Sequence, residues 1–177
     1  MSDTSHCKGS AERQGLMEAM SVVLGLWKVG VASSEAVVAW ADGNIARCDA
    51  PPMELVELSL YGPVACTRRA EADFPIRPAA FAFGQEFAIR AFVLSTNDDE
   101  RVLALADWLS RSCMGKDLAD ADVALGYQLD HLLCECNDSA AAIATLRAAL
   151  RDTSERREQT MKRILTSVPE LSVGHML

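Results

Sequence analysis

The sequence predicts an all-α fold, a single domain built as a bundle of about six to eight mostly antiparallel helices, and three observations predict it. Apolar residues recur at spacings of three and four along nearly every segment, the mark of helices with one buried face. Proline, glycine and Asx punctuation cuts the 177 residues into helix-length pieces with short connections, which favour antiparallel neighbours. Half of the residues are apolar and 24% are charged, enough to build a core without disulfides or metal. Nothing along the chain marks a domain boundary, a repeat or a low-complexity linker.

Taken in order, residues 1–10 are polar and read as a loose tail. The first helix is expected over 11–29, with Leu16, Met20, Val23, Leu24 and Trp27 on one face and Gly30 closing it. Ser33 or Ser34 caps a second helix that carries Val37, Val38, Trp40, Ala41 and Ile45. Pro51-Pro52 opens a third over 53–61, since proline suits a first helical turn. There Met53, Val56 and Leu60 lie on one side and Leu55 and Leu58 on another, so the helix is expected to be buried on both. Gly62-Pro63 ends it, and residues 64–72 supply another turn or two.

Pro75 and Pro78 make a loop. Residues 79–94 admit a strand reading through Phe81, Phe83, Phe87, Ile89 and Phe92. Phe83, Phe87, Ala91 and Leu94 fit helical spacing, and no neighbouring segment offers a strand to pair with, so helix is preferred. Asn97 with Glu100 suggests a capping box for a helix running to about residue 112 over Val102, Leu105, Ala106 and Leu109. After Gly115, Lys116-Asp117 opens a helix with the stripe Leu118, Ala121, Leu125, Leu129, Leu132 and Cys136. Residues 137–139 turn into an alanine-rich helix with Ile143, Leu146 and Leu150. The stripe lapses over 151–160 and returns at Met161, Ile164, Leu165 and Val168, so either one long helix projects or two meet near Asp152-Thr153. Residues 169–177 read as a second tail. Trp40 and Trp108 are both expected in the core.

The net charge of −8 argues against nucleic acid and against anionic membrane surfaces, which need a basic face, and favours a basic protein partner. No apolar run approaches the length of a membrane span, and the N-terminus lacks a basic region leading into an apolar one, so cytoplasm is the expected compartment. The six cysteines, scattered without a leader, then read as buried free thiols.

Charge is concentrated. Residues 97–138 hold ten acids against three bases. Asp98, Asp99, Glu100, Asp117, Asp120 and Asp122 are accordingly the candidate docking residues for that partner. No catalytic residue, cofactor or metal is assigned. His131 and Cys134 fall one turn apart with Glu135 beside them, but zinc needs further ligands and no second pair supplies them. Nucleophilic catalysis needs a cysteine or serine beside a base, and no linear motif provides one.

The run Trp40-Ala41-Asp42, Ile45, Asp49, Pro51-Pro52, Glu54-Leu55 and Glu57-Leu58-Ser59-Leu60 resembles a pattern in small uncharacterised bacterial helical proteins, some of them immunity-like. The resemblance spans residues 40–60. It implies a bacterial source and a stand-alone binding role, and it transfers no catalytic residue. With the acidic segment 97–138 and the absence of catalytic motifs, the expected function is an immunity or antitoxin-like protein that masks a toxin's basic surface or active site. Two other functions fit the sequence. One is a helical enzyme whose carboxylates, Asp42, Glu54 or Glu57, come from dispersed helices. The other is a homo-oligomeric scaffold or homodimer that packs through the stripe Met161, Ile164 and Leu165.

Overall fold

Local sequence signals close each helix, and the structure, a computed structural model that describes residues 4–69, 74–168 and 171, places those signals where the chain turns. The chain is all-α: among the described residues there are eight α-helices, one π-helical turn and no strand. They are α1 (Thr4–Lys28), α2 (Ser34–Ile45), α3 (Met53–Arg69), α4 (Phe83–Phe92), α5 (Asp99–Ser112), α6 (Ala121–Asp130), the π-turn His131–Glu135, α7 (Ser139–Asp152) and α8 (Ser154–Thr166). The helices sort into two compact units, residues 1–80 with 163–177 and residues 81–162.

In the first unit, α1 begins at Thr4, seven residues before the expected start. Extending an existing helix by a residue costs far less than nucleating one, so a polar segment joined to an amphipathic helix continues it. Of the expected tails, residues 1–3 and most of 169–177 lie outside the described residues. Gly30, at φ +78°, ends α1 in a Schellman motif: Val31 N–H donates to Leu26 O at 3.0 Å and Gly30 N–H to Trp27 O at 2.9 Å. Ser33 then caps α2, its Oγ accepting from Ala36 N–H at 3.1 Å. The core draws Met20, Val23, Leu24 and Leu26 from α1, Val37, Trp40 and Ala41 from α2, and Leu55, Leu58 and Cys66 from α3.

Within α3, Gly62 at φ +72° and ψ 169° is not helical, so Pro63 starts a second short segment as Gly62-Pro63 implies. The expectation that α3 is buried on both sides is corrected. Leu55 and Leu58 are fully buried, but Met53, Leu60, Tyr61 and Val64 are exposed. Only one side of α3 faces α2, and two-sided apolar spacing does not by itself supply a second neighbour.

In the second unit α4 starts at Phe83, four residues after the expected start, behind an extended Ala82 whose N–H donates to Gln85 Oε1 at 3.0 Å. Phe87 and Ala91 of α4 join Val102, Leu105, Ala106 and Leu109 of α5, Leu129 of α6, and Ala142, Leu146 and Leu150 of α7 in one apolar core. Trp108 is half-buried rather than enclosed. It stacks on Phe83 with centroids 5.8 Å apart, and the Arg90 guanidinium lies 4.7 Å above it.

Two more helix boundaries differ from the sequence reading, and a third, between α7 and α8, is the second of the alternatives it left open, two helices meeting near Asp152-Thr153. Asp98, not Asn97, caps α5, accepting from Arg101 N–H at 3.2 Å. α6 starts at Ala121 behind its cap Asp120, which leaves Leu118 in the preceding loop. Thr153 separates α7 from α8, its hydroxyl donating back to Ala149 O at 2.7 Å. Along the stripe weighed for a second copy, Met161 is fully buried, and Ile164 and Leu165 are half-buried.

Candidate functional site

The loop between α5 and α6 is the most exposed stretch of the second unit, with every residue from Met114 to Ala121 open to solvent. Its shape follows from its residues. Gly115, at φ +73°, lets the chain leave α5, and its N–H donates to the Tyr127 hydroxyl at 3.1 Å. Asp117 Oδ1 accepts from Ala119 N–H at 2.9 Å in an Asx-turn. Asp120 Oδ1 caps α6 through Asp122 N–H at 2.9 Å. The only base here, Lys116, sends its ammonium over the Phe83 ring at 5.6 Å. Met114 and Leu118 remain on the outside, 49% and 62% exposed, between acids that the turns hold in place.

The two helices that the loop joins meet closely at one point. A Cβ at Gly126 would sit 2.6 Å from Cys113 Cβ, so α6 meets the end of α5 where only glycine fits. Cys113 is fully buried, and burial pushes its thiol pKa up.

Of the six candidate docking acids, the structure brings Asp117 and Asp120 together in this loop. Asp98, Asp99 and Glu100 lie at the opposite end of α5, about 20 Å away for fourteen residues at ~1.5 Å rise. There Asp98 pairs with Arg101 at 3.4 Å, Asp99 pairs with Arg147 of α7, and Glu100 has no partner among the described residues. Asp122 is 6% exposed, beneath Gly84 of α4 and ion-paired with Arg156 of α8. It ties three helices together and presents almost no surface. Sequence reasoning missed the exposure of Met114 and Leu118. Leu118 fits the α6 stripe by spacing, and only the position of the Asp120 cap takes it out.

The carboxylates weighed for an enzyme are not brought together on one partner or in one cleft. Asp42 accepts from the Ser59 hydroxyl, Glu54 Oε1 lies 3.4 Å from the Arg13 guanidinium, and Glu57 is half-buried on α3. A cleft of about 670 Å³ in the first unit is lined by Glu12, Arg13, Arg47, Asp49 and the diproline, and none of those three carboxylates lines it.

The segment from Asp130 to Cys136 is arranged differently from the sequence reading. Cys136 N–H bonds His131 O at 3.0 Å, an i→i+5 link, so the helix widens into a π-turn. That register sets Cys136, not Cys134, over the imidazole. Cys136 Sγ is 3.5 Å from His131 Nε2, and Glu135 Oε2 is 2.7 Å from His131 Nδ1. Cys134 turns instead to Asp130 Oδ1 at 3.4 Å, whose hydrogen bond to the thiol, with adjacent negative charge, raises its pKa. Both thiols are exposed, which corrects the expectation of buried cysteines, while Cys66 and Cys113 are buried; all four, with Cys48, are free. Among the described residues no group of three His, Cys, Asp or Glu side chains could hold a metal ion, and no helix is long and apolar enough to cross a membrane.

No protein-family model, no curated protein and no solved structure matches this chain.

Proposed function

We propose that this chain is a protein-binding module of the immunity or antitoxin kind, which docks a basic partner through the α5–α6 loop. The observation that carries the reading is the exposure of Met114 and Leu118 beside Asp117 and Asp120 in a loop whose turns are fixed by hydrogen bonds. Interfaces draw most of their energy from a few apolar anchors, while acids around them steer a basic partner and set the salt dependence. A loop already ordered when free loses little entropy on docking, which favours affinity. The loop is the centre of such an interface rather than its whole extent, because specific interfaces bury about 1,000 Å² or more in total.

The test is a capture from native host lysate at low salt with three baits: the wild type, a Met114→Ser/Leu118→Ser double variant, and an Asp117→Lys/Asp120→Lys double variant. A stoichiometric basic protein held by the wild type, released as salt rises and lost from both variants is the expected result. Equal retention by the serine variant, or no stoichiometric partner, refutes the reading. With the partner in hand, the lysine variant should slow association and flatten its salt dependence, and the serine variant should mainly speed dissociation.

A further inference from the structure

At the far end of α6 from the docking loop, the π-turn assembles a cysteine, an imidazole and a carboxylate that the protein-binding reading does not use. An ionised carboxylate can only accept hydrogen bonds, so Glu135 fixes the proton of the neutral ring on Nδ1 and leaves Nε2 as an acceptor aimed at the Cys136 thiol. A nucleophile, a base and a group orienting the base thus lie in sequence over 3.5 Å and 2.7 Å. The cause is the helical register. With about 4.4 residues per turn, positions four and five ahead both overhang residue 131, whereas a regular α-helix would offer it Cys134 and Glu135 and turn residue 136 away. All three side chains are exposed, so a reagent in solution reaches them.

The geometry points to Cys136 as a nucleophilic thiol, with His131 as its base and Glu135 as the positioning residue, that forms mixed disulfides with small disulfides. In the exchange the Cys136 S–H proton passes to His131 Nε2, and the sulfur attacks one sulfur of RS–SR. The protein–SR bond forms as the RS–SR bond breaks, and the departing RS⁻ takes the proton from the imidazolium to leave as RSH. The small disulfide is the oxidant: the Cys136 sulfur is raised to the disulfide level as the departing RS sulfur is reduced to a thiol. Cys134, two residues away on the same exposed turn, donates to Asp130 rather than to a base and serves as an internal reference.

The experiment follows the release of thiopyridone from the neutral reagent dithiodipyridine reacting with the native protein near neutral pH, with peptide mass analysis assigning each modified cysteine. Cys136 is expected to react about tenfold or more faster than Cys134, the range a positioned base confers on a thiol. His131→Asn, which removes the base from an exposed position, should lower the Cys136 rate several-fold, towards that of Cys134. Glu135→Gln should fall between, and Glu135→Asp should recover part of the loss. Equal rates for the two thiols in the wild type, or an unchanged Cys136 rate in His131→Asn, overturns the assignment.

Discussion

Replacing Gly126 with alanine tests how tightly α6 is packed on the end of α5. The added methyl would lie 2.6 Å from Cys113 Cβ, 2.9 Å from Cys113 Sγ and 3.0 Å from the Leu109 carbonyl oxygen. Two of these three atoms cannot rotate away, so the helices must separate locally by about 1 Å to restore an ordinary carbon–carbon distance. Overpacking of this kind costs about 1–3 kcal/mol, and the immobility of the neighbours puts the case at the upper end. Alanine returns about 1 kcal/mol of helix propensity, leaving a net loss of about 2 kcal/mol. For a chain of this length that lowers the melting temperature by about 4–8 °C in calorimetry or thermal circular dichroism. A double-mutant cycle with Cys113→Gly, which removes the two closest atoms, should show clear coupling, the pair costing less than the sum of the singles. A Gly126→Ala protein that melts at or above the wild-type temperature, or additive effects in the cycle, would refute the reasoning.

Other variants separate neighbouring residues that the sequence alone treats alike. Asp98→Ala should cost about 1 kcal/mol in denaturant unfolding, the usual value of an N-cap, while Asn97→Ala should stay within about 0.5 kcal/mol. Arg156→Ala should destabilise by about 1–3 kcal/mol, more than Asp122→Ala, because it strands the buried carboxylate whereas the exposed arginine can turn to water. Glu35 has its pKa lowered by the hydrogen bond from its own backbone and then by Ser33, so its contribution is present above the ordinary carboxylate range and lost as pH falls through the lowered value. Wild type should therefore exceed Glu35→Gln in denaturant midpoint near neutral pH, and the gap should close in acid below the ordinary glutamate range.

Much of the fold is written in the local sequence. The α1, α2, α5 and α7 stripes, the Ser33 cap, the Gly30 stop and the Gly62-Pro63 kink depend on residues within a turn or two of one another, and such signals survive folding. What stayed hidden was decided at a distance or by register. Asp120 and Asp122 look equivalent along the chain, yet one caps α6 in solvent and the other is buried, because Gly84, far back in α4, leaves room for its carboxylate. The π-turn was hidden for a different reason: apolar spacing over residues 125–136 fits an ordinary helix, and one i→i+5 bond changes which thiol meets His131 without changing that pattern.

The same distinction governs how the acidic segment is to be read. Of the ten acids between residues 97 and 138, nine have a structural partner: Asp98, Asp120 and Asp138 cap helices, Asp117 closes a turn, Asp99, Asp107 and Asp122 pair with arginines, Asp130 accepts from Cys134, and Glu135 holds His131. Net charge therefore overstates the surface available to a partner, because an acid matched to an arginine contributes little outward field. A capping carboxylate differs, since it spends one oxygen on the backbone and keeps the other in water. Asp117 and Asp120 are of this second kind and stand beside two exposed apolar side chains, whereas Asp99 is matched to Arg147 and Asp122 is enclosed. The discriminating quantity is thus apolar exposure next to unneutralised acid, and in the second unit that combination points to residues 114–120 rather than to the start of α5. Charge reversal at Asp117 and Asp120 should accordingly slow association more than reversal at Asp98 and Asp99, and the opposite ranking would move the docking surface to the other end of the helix.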